Sequence, residues 1–118
     1  MKSQQKLEVF SIEAPRGANG QGEPSSDGFV VFKGSKAAGT IVNSLAPSFI
    51  VLRQKLIDDG VLVDKGEFYE FSDDYIFSSP STAAAMVMGR NANGLLEWKQ
   101  KDGQTLKDFE NTKETEKA

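Results

Sequence analysis

The apolar and polar positions change period several times along the chain, and each change predicts an element. Leu7-Glu8-Val9-Phe10-Ser11-Ile12-Glu13 alternates, which predicts a first strand. Pro15 to Gly28 is rich in Gly, Ser, Asn and Pro and predicts a loop. Phe29-Val30-Val31-Phe32-Lys33 is β-branched and aromatic, the strongest strand signal, and predicts a central strand. Lys36 to Ser44 reads as irregular, with Thr40-Ile41-Val42 placed to pair at an edge. From Pro47 to Asp59 the period becomes helical: Phe49, Leu52 and Leu56 form one row, widened by Ile50 and Ile57. Pro47 suits the first turn and Gly60 stops the helix. Arg53 falls at the border of that stripe, where its stem packs and its guanidinium reaches out to water.

Val61-Leu62-Val63, Phe68-Tyr69-Glu70-Phe71 and Tyr75-Ile76-Phe77 predict three short strands separated by turns at Asp64–Glu67 and Ser72–Asp74. The densest apolar run follows. Ser79 is placed to cap a helix and Pro80 to start it, Thr82 to Met88 is almost wholly apolar, and Gly89 supplies a left-handed end. A helix apolar on all sides must be buried. Asn93-Gly94 predicts a tight turn into a strand, Leu95 to Lys99, whose Trp98 belongs to the core because it shares a face with Leu96. After a turn at Lys101-Asp102-Gly103, Thr105 caps a short C-terminal helical piece holding Leu106 and Phe109. The order predicts an α+β domain: a small antiparallel sheet with two main helices packed on one face. Residues 1–6 are expected to be a flexible N-terminus, 7–109 one domain, and 110–118 a disordered charged tail.

Composition narrows the chemistry. The 118 residues contain no cysteine and no histidine, which removes disulfides, thiolate metal sites, the cysteine nucleophile and the usual general base. Asp58-Asp59 and Asp73-Asp74 are the only adjacent acid pairs, and both sit at turns, where Asp serves local hydrogen bonding. The expectation is therefore a protein that is no enzyme, with no metal and no cofactor. No stretch has the apolar length of a membrane span or a secretory signal, so no membrane association and a cytoplasmic location are expected. A net charge of −3 argues against strong overall attraction to nucleic acid but leaves room for a local basic patch.

The candidates for such a patch are donors around the apolar helix and the central strand. Helix amides near Ser79 and Ser81 form a positive dipole end suited to an anion. Arg90, Asn91 and Asn93 follow the helix, Lys99 follows Trp98, and Lys33, Ser35 and Lys36 leave the strongest strand together. These residue types supply the donors that phosphates and base edges accept. An exposed Trp98 would stack on a base, although burial is the expected state. Each also has a plain structural reading: a cap at Ser79, a turn at Asn93, solvated lysines.

The succession Phe29-Val30-Val31-Phe32-Lys33-Gly34-Ser35, Leu52-Arg53 to Gly60, Phe77-Ser78-Ser79-Pro80-Ser81-Thr82-Ala83-Ala84, Gly89-Arg90-Asn91-Ala92-Asn93-Gly94 and Trp98-Lys99 resembles one family. It is similar to the bacterial domain of unknown function found at the C-terminus of GIY-YIG nuclease-related proteins. That domain is in turn similar to the RAMA (restriction enzyme adenine methylase associated) domain. The resemblance spans Leu7 to about Phe109 and departs in placing Leu95-Leu96 before the tryptophan. It implies a non-enzymatic accessory domain of a DNA-processing system that contacts DNA, with a nuclease or methylase domain as partner in cis or in trans. Two alternatives stand beside it: a protein-interaction module docking such a partner, and, more remotely, a carboxylate-dependent hydrolase.

Overall fold

The computed structural model describes residues 9–117, with side chains for 9–111. The elements in chain order are β1 (Phe10–Ala14), β2 (Ala18–Ser25), β3 (Gly28–Val31), β4 (Lys36–Ala38), α1 (Pro47–Asp58), β5 (Leu62–Asp64), β6 (Phe68–Phe71), β7 (Tyr75–Phe77), α2 (Pro80–Met88), α3 (Gly94–Glu97) and α4 (Leu106–Lys117). The expected flexible segment 1–6 and the expected strand start at Leu7 lie outside the described residues. The class is α+β, with a seven-stranded antiparallel sheet, larger than the alternating segments predict.

The added element is β2, which the sequence reads as part of a loop. It pairs with β1 along Ala18 to Gly22 and with β3 along Gly22 to Ser25. Its inward positions, Ala18, Gly20 and Gly22, are buried alternately, so the strand period is present but is carried by residues without hydrophobic bulk. The reason is close approach. A Cβ on Gly20 would stand 3.0 Å from Val87 Cγ1 of α2, and one on Gly22 would stand 2.1 Å from the Val30 carbonyl oxygen. Among the described residues β1 pairs with β2 only as far as Gly22, and Pro24, which has no N–H to donate, lies beyond that point.

Gly22 pairs with Phe10 and Val31, and Asn19 pairs with Glu13 and Lys36, so β3 and β4 follow one another along the same side of β2. The chain between them leaves the ladder, and Ser35 splices the gap. Its Oγ accepts from Gln21 N (3.0 Å) and donates to Gln21 O (3.2 Å). Outside this break β7 pairs with β3, and β6 pairs with β4. Thr40-Ile41-Val42 forms no strand; β4 lies just before it, and Val42 N donates to Gly89 O (3.0 Å).

α2 behaves as its composition requires. Ser79 Oγ accepts from Thr82 N at 3.1 Å, Gly89 ends the helix with φ 72°, and Ala83 to Met88 are all buried. The predicted strand Leu95 to Lys99 is instead one helical turn, α3, capped by Asn93 Oδ1, which accepts from Leu95 N (3.0 Å). Leu96 is 49% exposed and Trp98 fully buried, so the two do not share a face. Spacing that reads as alternation is here the i, i+3 relation of Leu95 and Trp98. Trp98 stacks on Phe29, centroids 4.4 Å apart, and its Nε1 donates to Pro80 O (3.0 Å). Thr105 Oγ1 accepts from Asp108 N (3.1 Å) to start α4, whose Phe109 meets Phe10 edge-on. The α4 backbone runs on to Lys117, over residues whose charge predicts a disordered tail.

Candidate anion-binding clefts

The β1–β2 hairpin turns through Pro15-Arg16-Gly17, with Ala14 paired to Ala18. Arg16 is the one described non-glycine residue at positive φ (67°), and Gly17 follows at 87°. The left-handed region costs an ordinary side chain about 1 kcal/mol. Tertiary bonds offset that cost here. Arg16 Nη2 donates to Met88 O (3.0 Å), Nε to Thr40 O (3.4 Å), and Arg16 O accepts from Gly39 N (3.0 Å).

Two clefts flank this hairpin and share Ala14 and Pro15 in their walls. One, of about 370 Å³, places Arg16 and Arg90 together with Ser44 and Asn91. The other, about 520 Å³ and more open, is lined by Lys36 with Asn19 and Glu13. Arg90 is exposed and has no hydrogen bond or ion pair among the described residues. Asn91 shapes the cleft: its Oδ1 accepts from Ala46 N (3.0 Å) and its Nδ2 donates to Ser44 O (2.8 Å). The Lys36 ammonium rests 4.9 Å from the centre of the Phe68 ring.

The other expected donors are elsewhere or already engaged. Lys33 lines a separate cleft of about 500 Å³ with Lys65, Glu70 and Phe71, and its backbone N donates to Asp74 Oδ1 (2.7 Å). Lys99 is held by backbone bonds to Ser11 (2.8 and 3.1 Å), at the opposite end of β1 from the hairpin turn. Ser35 is 1% exposed and is spent on the β2 splice, so it cannot reach a phosphate. At the α2 N-terminus the serine oxygens are engaged within the fold. Ser79 caps Thr82, Ser81 Oγ accepts from Gly94 N (2.9 Å), and a Cβ on Gly94 would stand 2.3 Å from Pro80 C. Asn93 Oδ1 is engaged as the α3 cap, and Asn93 lines neither hairpin cleft. Trp98, with no exposed surface, cannot stack on a base.

Two arginines carry more than their sequence contexts suggest. Arg16 sits in a Gly- and Ser-rich stretch where nothing marks it; only the Pro-Arg-Gly turn hints at a fixed tip. Arg53, expected to reach outward, turns inward and is 6% exposed. Its Nη2 donates to Ala38 O (2.6 Å), its Nη1 to Met86 O (3.4 Å), and its guanidinium carbon lies 5.0 Å from the Tyr69 ring centre. Burial lowers its pKa; the Tyr69 side chain opposes this and the nearby Arg16 charge adds to it. Among the described residues no group of three or more acids is placed to hold a metal ion, and no helix is long and apolar enough to cross a membrane.

No curated protein and no solved structure matches the chain. Residues 10–110 do match one family, and they include every strand, every residue of the hairpin clefts and both inward-bonding arginines. On that match the chain belongs to the family described as Domain of unknown function (DUF4357).

Proposed function

We propose that this domain binds the phosphate backbone of DNA at the clefts beside the β1–β2 hairpin, as a non-enzymatic accessory domain of a DNA-processing system. The observation that carries the reading is the pairing of an unpartnered Arg90 with a fixed Arg16 in one cleft, with Lys36 across the hairpin tip. A guanidinium grips phosphate through two parallel N–H bonds, and two of them on one cleft bring two positive charges to an anion. Arg16 is pre-positioned by its carbonyl partners, so it loses little freedom on binding. The resemblance to the GIY-YIG-associated domain and to the RAMA domain supports the same reading and implies a nuclease or methylase domain in cis or in trans. The site lies at the C-terminal side of α2, where the helix dipole opposes an anion. Arg16 bonding to Met88 O and Val42 N bonding to Gly89 O cover those carbonyls and reduce that opposition.

The test is fluorescence anisotropy on plain and adenine-methylated duplex DNA at two salt concentrations. Arg90→Ala is expected to weaken binding on all sequences alike and to lower the salt slope by about one unit. Magnesium added to the same mixtures is expected to leave the duplex uncut. Absence of binding at low salt on either duplex would overturn the reading. The protein-docking alternative would then lead, on a specific observation: Ile50 and Val51 stand side by side on α1, 40% and 69% exposed.

A further inference from the structure

Among the described residues Arg53 is a buried cation without a counter-charge. The ion pairs among the described residues are Lys55–Asp59 and Lys65–Glu70, and neither involves it. A guanidinium carries five N–H donors in a planar fork, and two of them find acceptors here, one at a long 3.4 Å. Leaving a buried charge and several donors unmatched is costly. The side chain is also part of the wall of a cleft of about 210 Å³, room for roughly seven waters at liquid density. The rest of that wall is apolar at Ile41, Ile50 and Ile57 and polar at Thr40, Gln54 and Tyr69, with Gly39 between. It shares no lining residue with the hairpin clefts.

We propose that this cleft is a binding site for a small organic carboxylate with an apolar body, the carboxylate engaging the remaining Arg53 donors and the body lying against Ile50 and Ile57. A carboxylate offers two coplanar acceptors that fit the fork, and it supplies the missing negative charge. Inorganic phosphate fits less well, because the isoleucine side of the cleft has no donors for its further oxygens. The site is independent of the DNA reading: it faces Arg53, not Arg16 or Arg90.

The experiment is a titration of the intact chain, labelled with ¹⁵N and with ¹³C at the isoleucine methyls, with benzoate, following the arginine Nε–Hε signals and the isoleucine methyl signals by NMR. Benzamide and inorganic phosphate serve as controls. Benzoate is expected to move the Arg53, Ile50 and Ile57 signals saturably, and benzamide and phosphate to leave them in place. In Gln54→Glu, which sets a carboxylate at the cleft wall on an exposed helix position, benzoate affinity is expected to fall about tenfold, or about 1.4 kcal/mol. The proposal is overturned if benzoate gives no saturable shift, if benzamide or phosphate matches it, if the shifts map to Arg16 and Arg90, or if Gln54→Glu, shown folded by its spectrum, binds benzoate unchanged.

Discussion

Arg16 and Arg53 grip the same two backbone segments from opposite elements. Arg53 donates to Ala38 O and Met86 O, and Arg16 donates to Thr40 O and Met88 O, two residues further on in each segment. The pair ties the end of β4 and its exit to the last turn of α2. That turn holds no basic residue of its own, so its carbonyls and negative dipole end are met by cations brought from α1 and from the β1–β2 hairpin.

Removing Arg53 should therefore destabilise the fold, although it also removes a buried charge. Arg53→Ala leaves two carbonyls without a side-chain donor and opens space under α1, for an expected loss of about 2–4 kcal/mol in urea unfolding. Arg16→Ala, at an exposed position, should cost about 1–2 kcal/mol. Because both arginines support one junction, the double variant should deviate from additivity by about 0.5 kcal/mol or more. Strict additivity would show that the two act separately.

Overpacking should be felt at once beneath α2. Ala84 has no exposed surface, so Ala84→Leu should destabilise by about 1–3 kcal/mol and lower Tm accordingly. A melting curve identical to that of the parent protein would place this helix outside the core.

Gly94 is present for space, not for turn geometry. Its φ is not positive, yet a Cβ there would stand 2.3 Å from Pro80 C, 2.4 Å from Pro80 O and 2.5 Å from Ser81 N. Backbone on both sides cannot yield as a flexible side chain does. Gly94→Ala is expected to push α3 off the start of α2, break the Ser81 and Trp98 hydrogen bonds, and cost about 3 kcal/mol or more. Loss of the near-ultraviolet tryptophan signal would accompany it.

The buried state of Trp98 gives a spectroscopic prediction. Its emission should be that of an indole shielded from water, and saturating single-stranded or duplex DNA should leave its intensity unchanged. Strong quenching on DNA binding would mean that α3 opens and exposes the ring. Trp98→Phe, which removes the bond to Pro80 O and thins the stack on Phe29, should cost about 1–3 kcal/mol.

Local rules made much of the fold legible. β3, α1, β5, β6 and β7 lie where β-branched runs, a 3.6 period and turn residues put them. The extent and burial of α2 follow from Ser79, Pro80, its apolar content and Gly89. Composition also limited the chemistry, because a chain with neither histidine nor cysteine lacks the common nucleophile activators. In the candidate site, Arg90, Asn91 and Lys36 were among the donors read from the chain.

The tertiary structure decided what no local pattern encodes. β2 was invisible because its buried positions are alanine and glycines, chosen for the closeness of Val30 across the adjoining hairpin and of Val87, far along the chain in α2. α3 replaced a strand because an Asn93 cap and a gap sized for Gly94 outweighed the alternation of Leu95 to Trp98. Ser35, Ser79 and Ser81 have the residue type of phosphate donors, but the fold consumes Ser35 in bonds to Gln21 and engages the oxygens of Ser79 and Ser81 with Thr82 and Gly94. Arg16 carried no signal in the sequence and Arg53 was expected to reach outward, until the fold brought carbonyls of β4, its exit and α2 to them. Sequence records which groups can donate; only the assembled chain settles which acceptors come within reach, since hydrogen bonds and packing act over a few ångströms and not along the chain.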